Sequence, residues 1–125
     1  MMQAVKSKGT KPEIAVRKIV YSLGYKYRLN VSDLPGRPDL VFRNRKKVIF
    51  VHGCFWHRHN CAAGQSKPVT NQDFWLLKLE RNKVRDLRNQ ADLKKLGWKT
   101  MIIWECQIKN DSQLPERIKS FLESH

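Results

Sequence analysis

A chain of 125 residues, 41% of them hydrophobic, is long enough for a single domain spanning 1–125 that buries about two thirds of its unfolded surface, which excludes a disordered basic tail. Twenty-five Lys and Arg against eleven Asp and Glu leave a formal charge of +14, and self-repulsion of that size points to a polyanionic partner, with nucleic acid foremost. No apolar run approaches the roughly 18 residues of a membrane span, MMQAVKSKGTK carries no secretory h-region, and three cysteines argue for metal ligation or burial rather than a disulfide framework. The expectation is therefore a cytoplasmic protein with no membrane partner.

The pattern along the chain predicts an alternating α/β order. Thr10-Lys11-Pro12-Glu13 has the form of a capping box, Val16, Ile19, Val20 and Leu23 mark one helical face, and Gly24 stops the helix. Tyr25 to Leu29 alternates and predicts a short strand. Leu34-Pro35-Gly36-Arg37-Pro38 is turn chemistry, because each proline fixes φ and removes a ladder donor. Asp39 to Phe42 then predicts a strand, Arg43 to Lys46 a basic turn, and Lys47 to His52 the hairpin partner. From about Asn71 to Leu96 the pattern is helical, with its apolar stripe broken near Glu80 to Lys83, which predicts a kink or interruption there. Lys99 to Glu105 is the most apolar strand, hence expected at the centre and reached by a right-handed parallel crossover. Leu114 to Leu122 closes with an amphipathic helix, giving a mixed sheet with helices on its faces.

Three of the four histidines and two of the three cysteines fall within residues 48–61, VIFVHGCFWHRHNC. The predicted hairpin brings Asp39, directly after Pro38, and His52 to the same edge of the sheet. A carboxylate beside an imidazole suits acid–base chemistry or Mg²⁺, a hard cation held by one or two carboxylates with carbonyls and waters. The competing reading is that Asp39 merely caps the preceding turn. Cys54, Cys61 and Cys106 with one histidine would form a closed four-ligand zinc site that uses every thiol, against the alternative of three unconnected buried cysteines. His57 and His59 cannot both join it, and spacing does not say which is left over as a general base or phosphate contact. Phe55 and Trp56 lie in the metal loop, where rings stack on bases or wedge between them; Trp75, opening the long helix, is evenly divided between that role and packing, and Trp98 and Trp104 are assigned to the core.

Leu34-Pro35-Gly36-Arg37-Pro38-Asp39, Val48 to His57, Phe74-Trp75-Leu76 with Asn82 and Asp86, Gly97-Trp98 and Trp104-Glu105-Cys106 closely resemble the bacterial very-short-patch repair (Vsr) mismatch endonucleases, over residues 2 to 108 or so. The resemblance implies a restriction-endonuclease-like fold of the PD-(D/E)xK superfamily with a structural zinc site, its acid-x-lysine half replaced by Phe50-x-His52. By that resemblance Asp39 and the main-chain carbonyl of Val51 hold Mg²⁺, His57 is the general base, and His52 and Glu13 support the metal-bound waters. His59 then joins Cys54, Cys61 and Cys106 on zinc, while Phe55, Trp56 and Trp75 form the ring cluster that opens the duplex. Arg58, Lys78 and Asn82 are the DNA-backbone candidates.

The implied function is Mg²⁺-dependent nicking of double-stranded DNA on the 5′ side of the thymine in a T·G mismatch, by a monomer in the bacterial cytoplasm and nucleoid, with mismatch-repair proteins as candidate partners. The alternatives are a site- or structure-specific endonuclease of the same fold with another target, and a non-catalytic DNA-binding module stapled by zinc. Val51 stands where the family also has a hydroxyl residue, and only its carbonyl is needed. The chain begins where the family carries a further DNA-gripping N-terminal arm, so a weaker grip is expected; the C-terminus is short as well.

Overall fold

A computed structural model describes residues 11–29, 33–53 and 71–124. The order is α1 (Lys11–Ser22), β1 (Arg28–Leu29), β2 (Leu40–Phe42), a 3₁₀ turn (Arg43–Arg45), β3 (Lys47–His52), α2 (Gln72–Lys95), β4 (Lys99–Trp104), α3 (Glu105–Asn110) and α4 (Leu114–Glu123). The strands form one mixed sheet in the order β1-β2-β3-β4, antiparallel between β1, β2 and β3 and parallel between β3 and β4. Among the described residues no helix is long and apolar enough to cross a membrane.

Strand alternation sends side chains to two cores. Leu40, Phe42, Ile49 and Ile103 meet Val16 and Val20 of α1 and Leu114, Ile118 and Leu122 of α4 on one face. Val41, Val48 and Phe50 meet Leu34 and Leu93 on the other. With both faces covered, β2 and β3 have no polar side to show, and their unbroken apolar runs follow. Each fully buried Leu or Ile contributes about 1.5–3 kcal/mol.

Four expectations are corrected. β4 ends at Trp104 and lies at the edge of the described sheet rather than at its centre; its apolar character comes from packing against helices, with Ile103 in one core and Ile102 beside the other. The strand expected over Tyr25 to Leu29 shrinks to two exposed residues, because Tyr25 and Tyr27 turn inward against the α1–α4 core. Residues 105–110 form a helix, so Cys106 sits in α3 and not at a strand end. Finally, α2 runs unbroken through Glu80 to Lys83. Its inward-facing phase continues as Leu79, Asp86 and Leu93, seven residues apart, with a carboxylate in the middle position. A polar face, not a kink, interrupts the stripe.

The turn before β2 is held from two sides. Arg37 N–H donates to the Leu34 carbonyl at 3.2 Å, and Gly36 takes φ +78, which its missing Cβ permits. A Cβ there would stand 3.0 Å from the Asn89 side chain, so the turn also lies directly against α2.

Lys47 is buried at the start of β3, and its ammonium donates to the carbonyls of Phe121 (2.7 Å), Leu122 (3.0 Å) and Ser124 at the end of α4. Loss of water pulls its pKa down, but the carbonyls at a helix C-terminus replace the missing solvent and favour the cation. Lys47→Met keeps the stem and removes the donor, leaving those carbonyls unsatisfied. Urea unfolding should show a loss of about 1–3 kcal/mol; an unchanged midpoint would mean that the clamp contributes nothing.

Candidate functional site

The C-terminal end of β3 gathers the polar groups. Asp39 precedes β2, whose register pairs Leu40 with Ile49, so the Asp39 carboxylate reaches past the end of that ladder. Its Oδ2 accepts the Val51 N–H at 2.6 Å, a bond across the hairpin and not the cap of its own turn. Glu13 arrives from α1. It occupies the same helical stripe as Val16 and Val20, three and seven residues on, and is therefore buried at a position where the pattern calls for an apolar side chain. Arg17, one turn later, forms an ion pair with it. Glu13 lies in the first turn, where the helix dipole favours a negative charge.

The two carboxyl groups interact. Burial, then a hydrogen bond with Glu13 and its charge, raise the Asp39 pKa to about 8; the Val51 N–H and Arg17 pull the other way without prevailing. A value about a unit above neutral keeps a proton on Asp39 that a divalent cation would displace. Two hard carboxyl groups beside a strand-end carbonyl match the donor set of Mg²⁺, which takes one or two carboxylates and completes its shell with carbonyls and water. Among the described residues no group of three or more His, Cys, Asp or Glu side chains is disposed to hold a metal ion.

His52, the last residue of β3, shares the face of Phe50, with ring centroids 5.7 Å apart, and so turns toward α2. It is buried, and Trp104 meets it edge-on at 5.0 Å. Plain core packing is therefore not the whole role of Trp104: parallel pairing with His52 puts it against the site. Asp86, Asn89 and Gln90 of α2 close a narrow gap over Phe50 and His52. The strand end thus divides into a carboxylate side under α1 and an imidazole side under α2.

Asp86 carries no role in the sequence reading, although the signal for one is there. A carboxylate in phase with Leu79 and Leu93 is polar at a core-facing position, as Glu13 is in α1. Arg17 and Gln90 carry no comparable signature.

α2 also extends the site. Twenty-four helical residues span about 36 Å, whereas six-residue β3 spans about 20 Å. With Asp86 to Gln90 level with the end of β3, and α2 leading into a parallel strand, the preceding three turns run past the sheet. That overhang carries half-buried Trp75, whose ring lies edge-on to Phe74 at 5.3 Å and under the Lys78 ammonium at 5.2 Å. Half-buried Asn82 accepts from Arg85 at 2.9 Å. Cys54, Phe55, Trp56, His57, Arg58, His59 and Cys61 lie outside the described residues; of the four zinc candidates only Cys106, half-buried in α3, is described.

A family model described as DNA mismatch endonuclease Vsr matches residues 1–63. The Type II nicking enzyme V.XorIIP of Xanthomonas oryzae pv. oryzae is 46% identical over 123 residues, covering 98% of this chain and 90% of that protein. The Type II nicking enzyme V.NmeAIP of Neisseria meningitidis is 43% identical, over 94% of this chain and 84% of that protein. The DNA mismatch endonuclease Vsr of Escherichia coli is 36% identical, over 97% of this chain and 80% of that protein.

Because the folded state keeps a proton on Asp39 between the ordinary value of 3.8 and about 8 while the unfolded chain releases it, stability without added metal should fall as pH rises through that window. Asp39→Asn removes the titrating group and should flatten that part of the melting-temperature profile. Parallel profiles for the two proteins would show that Asp39 ionises normally.

Proposed function

The chain belongs to the DNA mismatch endonuclease Vsr family, and on that premise we propose that it nicks one strand of duplex DNA 5′ to the mismatched thymine of a T·G pair, the product of 5-methylcytosine deamination. The observation that carries this reading is the pairing of buried Glu13 with half-buried Asp39, tied to Val51 at the end of β3. It supplies an acidic centre in a chain whose overall charge is +14 and whose partner is accordingly a polyanion.

In this reading the fold is restriction-endonuclease-like, of the PD-(D/E)xK superfamily, in one domain over 1–125. Asp39 and the Val51 main-chain carbonyl hold Mg²⁺, which when bound neutralises charge developing on the phosphate. Glu13 orients donors around Asp39 from the α1 side, and His52 does so from the α2 side. Asp86 steadies His52 through the gap they share. His57 accepts the proton of the attacking water, which suits an imidazole with a pKa near neutrality. Cys54, His59, Cys61 and Cys106 bind a structural zinc that fixes the loop bearing His57, while Phe55, Trp56 and Trp75 wedge into the duplex beside the mismatch. Arg58, Lys78 and Asn82 hold the backbone. The protein works as a monomer in the bacterial cytoplasm, at the nucleoid, alongside mismatch-repair proteins.

A second reading, nicking at a different site by the same chemistry, draws support from the names of two relatives, Type II nicking enzymes rather than mismatch endonucleases.

End-labelled duplexes with Mg²⁺ separate the two. The unmutated protein should nick the thymine strand of T·G duplex, and Asp39→Ala should slow this by more than about 100-fold. Equal nicking of matched and mismatched duplex would favour the second reading, and tight binding without any nicking would reduce the protein to a DNA-binding module. Elemental analysis should find one zinc per chain; a clearly smaller content would remove the four-ligand site.

A further inference from the structure

From its overhang down to the level of the end of β3, α2 carries a line of cations that the catalytic centre does not use. Lys78, Arg81, Arg85 and Arg88 are spaced three, four and three residues apart, so they share one flank of the helix, and all four are exposed. The buried phase of the same helix, Leu79 and Leu93, points to a different side, so this flank is not a by-product of core packing. Neighbouring like charges at these spacings repel one another. Among the described residues no carboxylate forms an ion pair with any of the four. Arg81, Arg85 and Arg88, with Val84 between them and Glu80 at the rim, line a surface groove of about 410 Å³.

We propose that this flank is a phosphate track: Arg81, Arg85 and Arg88 of α2 extend the backbone contact already assigned to Lys78 along the sugar–phosphate backbone to one side of the nick. The proposal rests on the DNA-endonuclease reading above and extends it to a surface outside the reacting centre. Its length fits the ligand. Lys78 to Arg88 covers about 15 Å of helix, equivalent to about four nucleotide steps at 3.4 Å each. Its position fits as well, since the line starts one turn from Trp75, whose ring the Lys78 ammonium covers. A ring that disturbs base stacking gains from a rigid grip on the backbone just beyond it, because the grip holds the duplex while the step opens. Arginine suits the task through its planar, multi-donor head, and one of the three, Arg85, is already oriented by Asn82.

Fluorescence anisotropy with a labelled T·G duplex, without added Mg²⁺, tests this through the dependence of log K on log salt between about 50 and 200 mM KCl. Each phosphate that a variant no longer neutralises should reduce the slope by about 0.9, so the triple variant R81Q/R85Q/R88Q should bind with a slope shallower by about 2 to 3. The triple variant K18Q/K109Q/K119Q removes the same charge from exposed positions on α1, α3 and α4 and should keep the original slope. Circular dichroism establishes that both remain folded. An unchanged slope in the arginine variant, or an equal reduction in the two variants, overturns the track. The readout is binding alone, so a failure of the T·G nicking assay would sink the functional reading without deciding this one.

Discussion

The hydrogen bond from the Val51 amide to the Asp39 carboxylate is the contact on which the site depends. Asp39 lies outside the regular ladder, and its position is set by the residues around it: a turn stiffened by Pro35 and Pro38, and a hairpin register that places Leu40 opposite Ile49. A slip of one residue would exchange the two faces of β3, sending His52 toward α1 and Val51 toward α2. Burial of both faces forbids the slip, because it would exchange two fitted sets of apolar side chains. The two cores therefore act as a jig for a carboxylate that belongs to neither of them.

Electrostatics explains why the carboxyl groups gather in so basic a chain. An isolated carboxylate out of water is costly, and at Asp39 that cost is lowered by retention of its proton and by the Val51 amide and Arg17. The arrangement is poorly suited to bare water and well suited to a cation. Stability is given up locally at neutral pH, and a cation bound there would recover it.

How far the sequence disclosed this depends on what each residue's neighbours could reveal. β3 is readable to the residue because Lys47 to His52 is bounded by a basic turn on one side and Gly53 on the other. The place of β4 is not, because an apolar run records burial on both faces and not the number of strand neighbours; helices cover Ile102 and Ile103 at a sheet edge as well as strands would at the centre. The break expected in α2 at Glu80 to Lys83 is absent, and the polar residue in the inward-facing phase is Asp86, further along, which keeps the helical phase while changing the chemistry. Glu13 enters through family resemblance, yet the same test, a charge in phase with Val16 and Val20, would have selected it unaided. Trp104 and His52 cannot be joined without the strand register, which only the folded chain supplies.

The Lys47 clamp has a bearing on how the chain is made. Its amine, in the first half of the chain, finds its partners more than seventy residues later, at the close of α4, and the same helix brings Leu114, Ile118 and Leu122 to the larger core. A nascent chain leaving the ribosome thus carries a sheet with one greasy side bare, and an ammonium with no carbonyls to receive it, until synthesis has passed residue 122. Premature release or early cleavage yields a sticky fragment rather than a smaller enzyme.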